Sequence, residues 1–273
     1  MICDLHTHTN ASDGSLSPTA LLRLAEEHDV DVLAITDHDT VNAYAELNDP
    51  NDTPVKLIPG IELSTTWQRT GIHIVGLNID PSNAELSNGI EQQQKARGER
   101  ARKIAERLTR LDIDNPYDEV QKLAGDTGIG RPHFAQHLVE IGKVADVQTA
   151  FRKYLGAGKI GDVRQGWASM PDVIDWIVAA GGIAVLAHPA KYKFTATKLR
   201  AMLEDFKESG GRAIEVVSGH QEPSATRRLA GLARDFDLLA STGSDFHHPG
   251  NKWSRPGGFS NLPDQLATVW DAW

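Results

Sequence analysis

Seven short β-branched runs recur along the chain, and most of them give way to a histidine or a carboxylate. They are ICDL (2–5), DVLAIT (31–36), KLIPGIEL (56–63), IHIVGL (72–77), GIAVLAH (182–188), AIEVV (213–217) and LLASTGS (238–244). Near-continuous apolar strands that alternate with helical patterns predict a parallel sheet covered on both faces, an α/β fold. Seven strands suit a barrel better than an open sheet. Ser17 before Pro18 has the form of an N-cap and first helical position opening PTALLRLAEEH. The connection STTWQRTG (64–71) is too short for a crossover helix, so its flanking strands are expected to run antiparallel and distort the barrel.

The rhythm breaks between 79 and 160. Ile104, Leu108 and Leu111 keep helical spacing there, RPHFAQHLVEIG and DVQTAFRKYLG are helix-like, and no strand pattern occurs. The expected organisation is a barrel domain from 1–78 and 161–273 that carries a helical insertion at 79–160. A single cysteine, Cys3, excludes an internal disulfide framework and is expected to pack in the first strand. With 40% hydrophobic and 24% charged residues, no membrane-length apolar stretch and no leader-like start, the reading is a soluble, cytoplasmic protein. A formal net charge of −9 argues against a passive nucleic-acid binder but not against an enzyme whose carboxylates hold cations.

The polar residues at the strand ends carry the chemistry. His6 and His8 end the first run, Asp37 and His38 the second, and Glu62 the third. His73 lies at the start of the fourth, His188 ends the fifth, Asp245 and His247 end the last, and Asp13 sits in the first strand-to-helix loop. In an α/β barrel this is the face where active sites form. Alternate residues of a strand face the same way, so His6 and His8 can clasp one ion. Imidazole and carboxylate without thiolate suit manganese, zinc or iron, and so many ligands imply two or three ions. Taken singly, Asp13-Gly14 is simply a turn, and Asp37 and Asp39 could each cap a helix.

DLHTH, SDG, ITDHDT, PGIEL, AHP and GSDFH, in that order along the whole chain, resemble the polymerase and histidinol phosphatase (PHP) family of metal-dependent phosphoesterases. The resemblance implies a distorted seven-stranded β/α barrel with a trinuclear site. His6, His8, Glu62 and Asp245 would hold one ion, and Glu62 would bridge to a second held with His73 and His188. Asp13, His38 and His247 would hold the third. The implied cofactors are two to three divalent ions, manganese first, with iron or zinc as alternatives.

GRPHFAQHLV (130–139), FRKYLGAGKIG (151–161) and QGWAS are similar to the subgroup containing RNase AM and nucleoside 3′,5′-bisphosphate phosphatases. That match makes Arg131 and His133 the substrate-side pair, with Arg131 clamping phosphate and His133 positioning it or protonating the leaving oxygen. Lys159 and Lys191 are further candidates for phosphate contacts, or else solvated surface residues. The expected reaction is attack of metal-bound hydroxide on a nucleotide phosphate ester, as a bisphosphate 3′-phosphatase, a 5′-to-3′ exoribonuclease on short RNA, or both. The alternatives are histidinol phosphate phosphatase or another small phosphomonoesterase, and a degenerate metal-binding structural domain. The partner is a nucleotide or short RNA, with no membrane and no obligate protein partner. Arg100, Lys103, Arg107 and Arg110 could form a basic stripe guiding RNA, or a plain solvated face. Trp67, Trp167 and Trp176 could stack on a base or pack in the core. His137 could reach the site, and His220 and His248 have no assigned place.

Overall fold

The structure, a computed structural model, describes residues 1–47, 53–114, 116–125, 127–163, 166–250 and 255–273. Its order is β1 (Cys3–Thr7), α1 (Pro18–Glu27), β2 (Val32–Ile35), β3 (Lys56–Trp67), β4 (Thr70–Leu77) and α2 (Ala84–Thr109). There follow α3 (Pro116–Ala124), α4 (Arg131–Glu140), α5 (Val147–Ala150), α6 (Met170–Ala179) and β5 (Ile183–Leu186). The chain closes with α7 (Ala196–Glu208), β6 (Ala213–Ser218), α8 (Pro223–Asp235) and β7 (Leu239–Gly243). Two compact units result: Met1–Ile90 with Ala168–Trp273, and Glu91–Trp167.

The first unit is a seven-stranded sheet in sequential order, β1 to β7. Its strands pair in parallel except that β4 is antiparallel to both β3 and β5. The last strand returns beside the first: Thr7 bridges Phe246 in parallel, and Asp245 N donates to His6 O at 2.9 Å. The sheet is therefore a nearly closed, barrel-shaped α/β fold. β1, β2, β5 and β6 are buried along their whole length, which is why they read as apolar runs rather than alternating ones. Cys3 is among these buried residues. Ser17 caps α1 by accepting from Ala20 N at 3.3 Å, with Pro18 opening the helix.

The segment 64–71 is mostly strand, not loop. β3 runs to Trp67, β4 starts at Thr70, and only Gln68 and Arg69 turn, at φ 44° and 64°. Two successive positive φ values match the right-handed twist of a tight hairpin, and this favours a two-residue turn despite the absence of glycine. The longer ladder sets Ser64 opposite His73 and Glu62 opposite Val75, so Glu62 and His73 share a face.

The second unit is helical, with no strand among its described residues, and closes around Leu108, Val120, Phe134, Leu138 and Leu155. Its α3 was not anticipated from the sequence, because PYDEVQKLA offers only Val120 and Ala124 as fully buried apolar residues behind Pro116. Among the described residues, no helix is long and apolar enough to cross a membrane.

Candidate metal centre

Six imidazoles and three carboxylates of the first unit converge in four overlapping groups whose ligand atoms lie within 4.8 Å of one another. Glu62 does not end its strand as expected but lies mid-strand in β3, as His73 does in β4, because the hairpin extends both strands past the cluster. The groups are His8, Asp13, His38 and His247; His6, Glu62 and His188; His6, His8 and Asp245; and His38, Glu62 and His73. Glu62 is the hub. Its Oε2 lies 3.2 Å from His6 Nε2, 3.3 Å from His8 Nε2 and 3.0 Å from His38 Nδ1. Its Oε1 lies 2.8 Å from His73 Nδ1 and 3.0 Å from His188 Nε2. Asp245 Oδ1 stands 3.6 Å from His6 Nε2 and 3.3 Å from His8 Nε2. Asp13 faces His247 Nε2 at 3.4 Å and His8 Nδ1 and His38 Nε2 at 3.8 Å.

Local backbone features place these groups. A Cβ on Gly14 would lie 2.4 Å from His8 O, so only glycine lets the loop after β1 fold back and set Asp13 beside His8. His188 and Asp245 both adopt left-handed backbone, at φ 31° and 53°, a conformation that side-chain-bearing residues keep when the surroundings fix it.

The donor set fits divalent cations. His6 Nε2, His8 Nε2, His38 Nδ1 and Glu62 Oε2 are buried and have no hydrogen-bond partner among the described residues, although each of the three nitrogens lies 3.0–3.3 Å from that oxygen. Such an atom costs about 1–3 kcal/mol when left unsatisfied. Three nitrogen lone pairs and a carboxylate oxygen that face one centre are what an ion requires, and no thiolate takes part.

The charges are coupled. Burial opposes ionisation of Glu62, but His38, His6 and His73 hold its pKa well below the carboxylate range. Burial likewise opposes the Asp13 and Asp245 charges, and His38 with His247, and Lys191 with His6, hold them low. Burial disfavours the His247 imidazolium, yet Asp13 and Asp245 raise its pKa to about 9. His6 rises well above the ordinary value against burial, through Glu215, Glu62 and Asp245. His38 goes the other way, to about 3, because burial there outweighs Glu62 and Asp13. Lys191 Nζ pairs with Asp245 Oδ2, a partner the sequence did not indicate.

Four buried carboxylates behind the cluster escaped the sequence reading in their true roles. Among the described residues, neither Asp37 nor Asp39 is the N-cap of a helix, and the short helix that follows them is capped at Val41. Asp37 accepts from Thr9 N at 2.7 Å and from Thr9 Oγ1 and Ser12 Oγ at 2.6 Å, pinning the Asp13 loop. Asp39 accepts from Ser64 N at 2.7 Å and Ser64 Oγ at 2.9 Å, two residues beyond Glu62. Asp4 accepts from Ser244 N and Gly257 N, both at 2.8 Å, and so anchors the segment that carries Asp245. Glu215, in β6, contacts His6 and the His188 backbone. The signal that could have found Asp4 and Glu215 was a charge in the middle of an otherwise apolar strand, since an ionised group is buried there only when it is paired.

Arg131, His133 and Lys159 belong to the second unit. Arg131 Nη1 donates to Leu155 O at 3.3 Å, and its guanidinium lies 5.9 Å from the Phe151 ring centroid. His133 Nδ1 accepts from Gly130 N at 3.0 Å, which leaves the proton of the neutral ring on Nε2. Lys159 is exposed. His137 is buried, with no hydrogen-bond partner for Nε2 among the described residues. Neither a basic stripe nor a plain solvated face describes Arg100, Lys103, Arg107 and Arg110 as a set. Arg100 is buried and donates to Val163 O at 2.8 Å, while Arg107 donates to Ile160 O and Asp162 O at 3.2 Å. Two of its four members thus tie down the unit's own backbone.

Trp67 is core, with Nε1 donating to Asp205 Oδ2 at 2.6 Å, and Trp176 packs against the same core. Trp167 lies 5.4 Å from both Arg97 and Arg100. Gln165 of QGWAS is outside the described residues.

Nine clustered imidazoles and carboxylates in an α/β barrel define the class: a barrel protein whose site has the donor groups to hold metal. Its PHP domain matches over residues 4–156, and the chain belongs to the PHP family. It is 43% identical over 276 residues to the 5′-3′ exoribonuclease Rnm of Escherichia coli, spanning 100% of this chain and 94% of that protein. It is 39% identical over 269 residues to the 3′,5′-nucleoside bisphosphate phosphatase of Chromobacterium violaceum, spanning 98% of this chain and 94% of the relative. A solved Chromobacterium violaceum amidohydrolase, with bound sulfate and no metal, superposes with a TM-score of 0.91 at 37% identity, covering 100% of this chain and 95% of that one.

Proposed function

We propose that this chain is a metal-dependent phosphoesterase that hydrolyses phosphate esters of nucleotides, acting on nucleoside 3′,5′-bisphosphates and on the 5′ ends of short RNA. The observation that carries the reading is Glu62, one buried carboxylate within 3.3 Å of five imidazoles. His6, His8, Asp13, His38, Glu62, His73, His188, Asp245 and His247 would hold two to three ions, manganese foremost. Ions bound there would supply a nucleophilic water near neutral pH and neutralise charge on the phosphoryl oxygens.

The chain's own residues do the rest. Arg131 presents a planar fork that matches two phosphate oxygens, and Lys159 adds a point charge. His133, with its proton on Nε2, donates to a phosphate oxygen or to the leaving oxygen. The relatives' names are consistent with one chemistry in two settings, since a bisphosphonucleotide resembles a one-residue RNA end with its ester and its terminal phosphate.

The experiment is a manganese-supplemented assay of adenosine 3′,5′-bisphosphate, a short 5′-phosphorylated RNA and histidinol phosphate, each with a chelated control. The first two should be hydrolysed and the third should not, with activity lost on chelation. Turnover that survives thorough chelation, or none on any of the three, overturns the proposal. Replacing Arg131 with Ala should lower kcat/KM for the bisphosphate by about 100-fold, the usual cost of one transition-state donor. A change of only a few-fold would remove Arg131 from the scheme.

A further inference from the structure

Glu215 is 1% exposed and lies in the middle of β6, two strands away from β1 through β7. Its Oε1 accepts from His6 Nδ1 at 2.6 Å, and its Oε2 accepts from the backbone N–H of His188 at 2.5 Å. The reach to His6 passes Gly243 of β7. A Cβ at that position would lie 2.3 Å from His6 Cβ and 3.0 Å from Glu215 Oε1. Glycine is thus what keeps the passage open. The β6–β7 register also shifts between Glu215 and Val217, a local irregularity of the kind that re-aims a side chain.

We infer that Glu215 is a positioning residue for metal binding, aligning His6 and His188 together from behind the cluster. This rests on the metal-centre reading above. A carboxylate can only accept, so in the neutral ring that a metal ligand must be, the short contact keeps the His6 proton on Nδ1 and leaves the lone pair on Nε2. That is the atom 3.2 Å from Glu62 Oε2 and 3.6 Å from Asp245 Oδ1. The second oxygen holds the backbone of His188 at φ 31°, ψ 54°, which directs its ring to Glu62 Oε1 at 3.0 Å. A ligand on β1 and a ligand after β5 therefore share one orienting group. Gln in this place offers one oxygen and one NH2, so one of the two donors would meet another donor.

The test titrates manganese alone into chelator-stripped full-length protein by calorimetry, in parent, Glu215→Gln, His6→Ala and the double variant. Outer partners of this kind are worth about 10–100-fold in metal affinity, and that loss is expected for Glu215→Gln. In the His6→Ala background the same substitution should cost much less, since the main group it acts through is gone. Affinity within two-fold of the parent overturns the inference, and so does an undiminished loss in the His6→Ala background, which would mark a general effect on the fold. If Glu215→Gln does not fold, Glu215→Asp, which keeps two acceptor oxygens, enters the same cycle under the same criteria. A parent that binds no manganese would instead sink the metal-centre reading itself.

Discussion

Glu62→Gln should lower kcat by about 1,000-fold or more, and metal analysis of the purified variant should show fewer ions per chain than the parent. The reasoning begins with burial. Glu62 is fully buried, and its two oxygens face His6, His8 and His38 on one side and His73 and His188 on the other. An amide there keeps the volume but loses the charge, and it turns an NH2 toward imidazole nitrogens that must offer lone pairs. Each ion is worth several kcal/mol of transition-state charge stabilisation, and every 1.36 kcal/mol is tenfold in rate, so misplacing a shared ligand gives about three orders of magnitude. Breaking one partner of a buried charge network also costs about 3–5 kcal/mol of stability. The stripped variant should therefore melt below the stripped parent. A variant with a full metal complement and kcat within tenfold of the parent would remove Glu62 from the centre of the site.

Much of this arrangement could be anticipated because its determinants are local. A parallel strand covered on both faces must be apolar throughout, so a polar residue where the run stops stands out, as at His6, His188 and Asp245. The Ser17-Pro18 cap and the antiparallel β3–β4 pair were legible for the same reason. What stayed hidden depends on partners far along the chain. Glu215 and Asp4 are single acids within apolar strands, and their meaning lies in His6 and Ser244, 209 and 240 residues away. The hairpin at Gln68-Arg69 lacks the usual Asn-Gly signal. Arg100 and Arg107 have the spacing of a solvent-facing stripe, but spacing does not reveal the backbone carbonyls of Val163, Ile160 and Asp162 that take their donors. Side-chain period reads a face correctly and says nothing of what covers it.

Stripping the metals should reverse how stability depends on pH above neutrality. In stripped protein the His247 imidazolium sits between Asp13 and Asp245, and its pKa is about 9 against an ordinary 6.5. A raised histidine stabilises the fold fully below the unfolded value, and that stability is lost as pH rises through the folded one. His6 is raised as well and acts in the same direction. Asp4, raised to about 6, loses its contribution lower, as pH climbs from about 4 to 6. His38 and His188, pushed down by burial, favour the fold as pH rises, but that gain is complete once the unfolded imidazole is neutral, by about pH 7.5. Between pH 7.5 and 9 the raised histidines therefore dominate. His247 alone gives a loss of about 1.5 kcal/mol, or roughly 3–6 °C in Tm. Loaded protein should behave oppositely, because a ligating imidazole must be neutral and metal affinity climbs as protons leave. Each ion at about 100 times its Kd adds about 2.7 kcal/mol, so the gap in Tm between loaded and stripped protein should exceed roughly 10 °C for two ions and widen with pH. Differential scanning calorimetry at pH 7.5, 8.25 and 9, with and without manganese, measures both slopes. A stripped Tm that stays flat or rises would mean that His247 is not held as an imidazolium by Asp13. A gap that narrows with pH would mean that the ions do not compete with protons for these imidazoles.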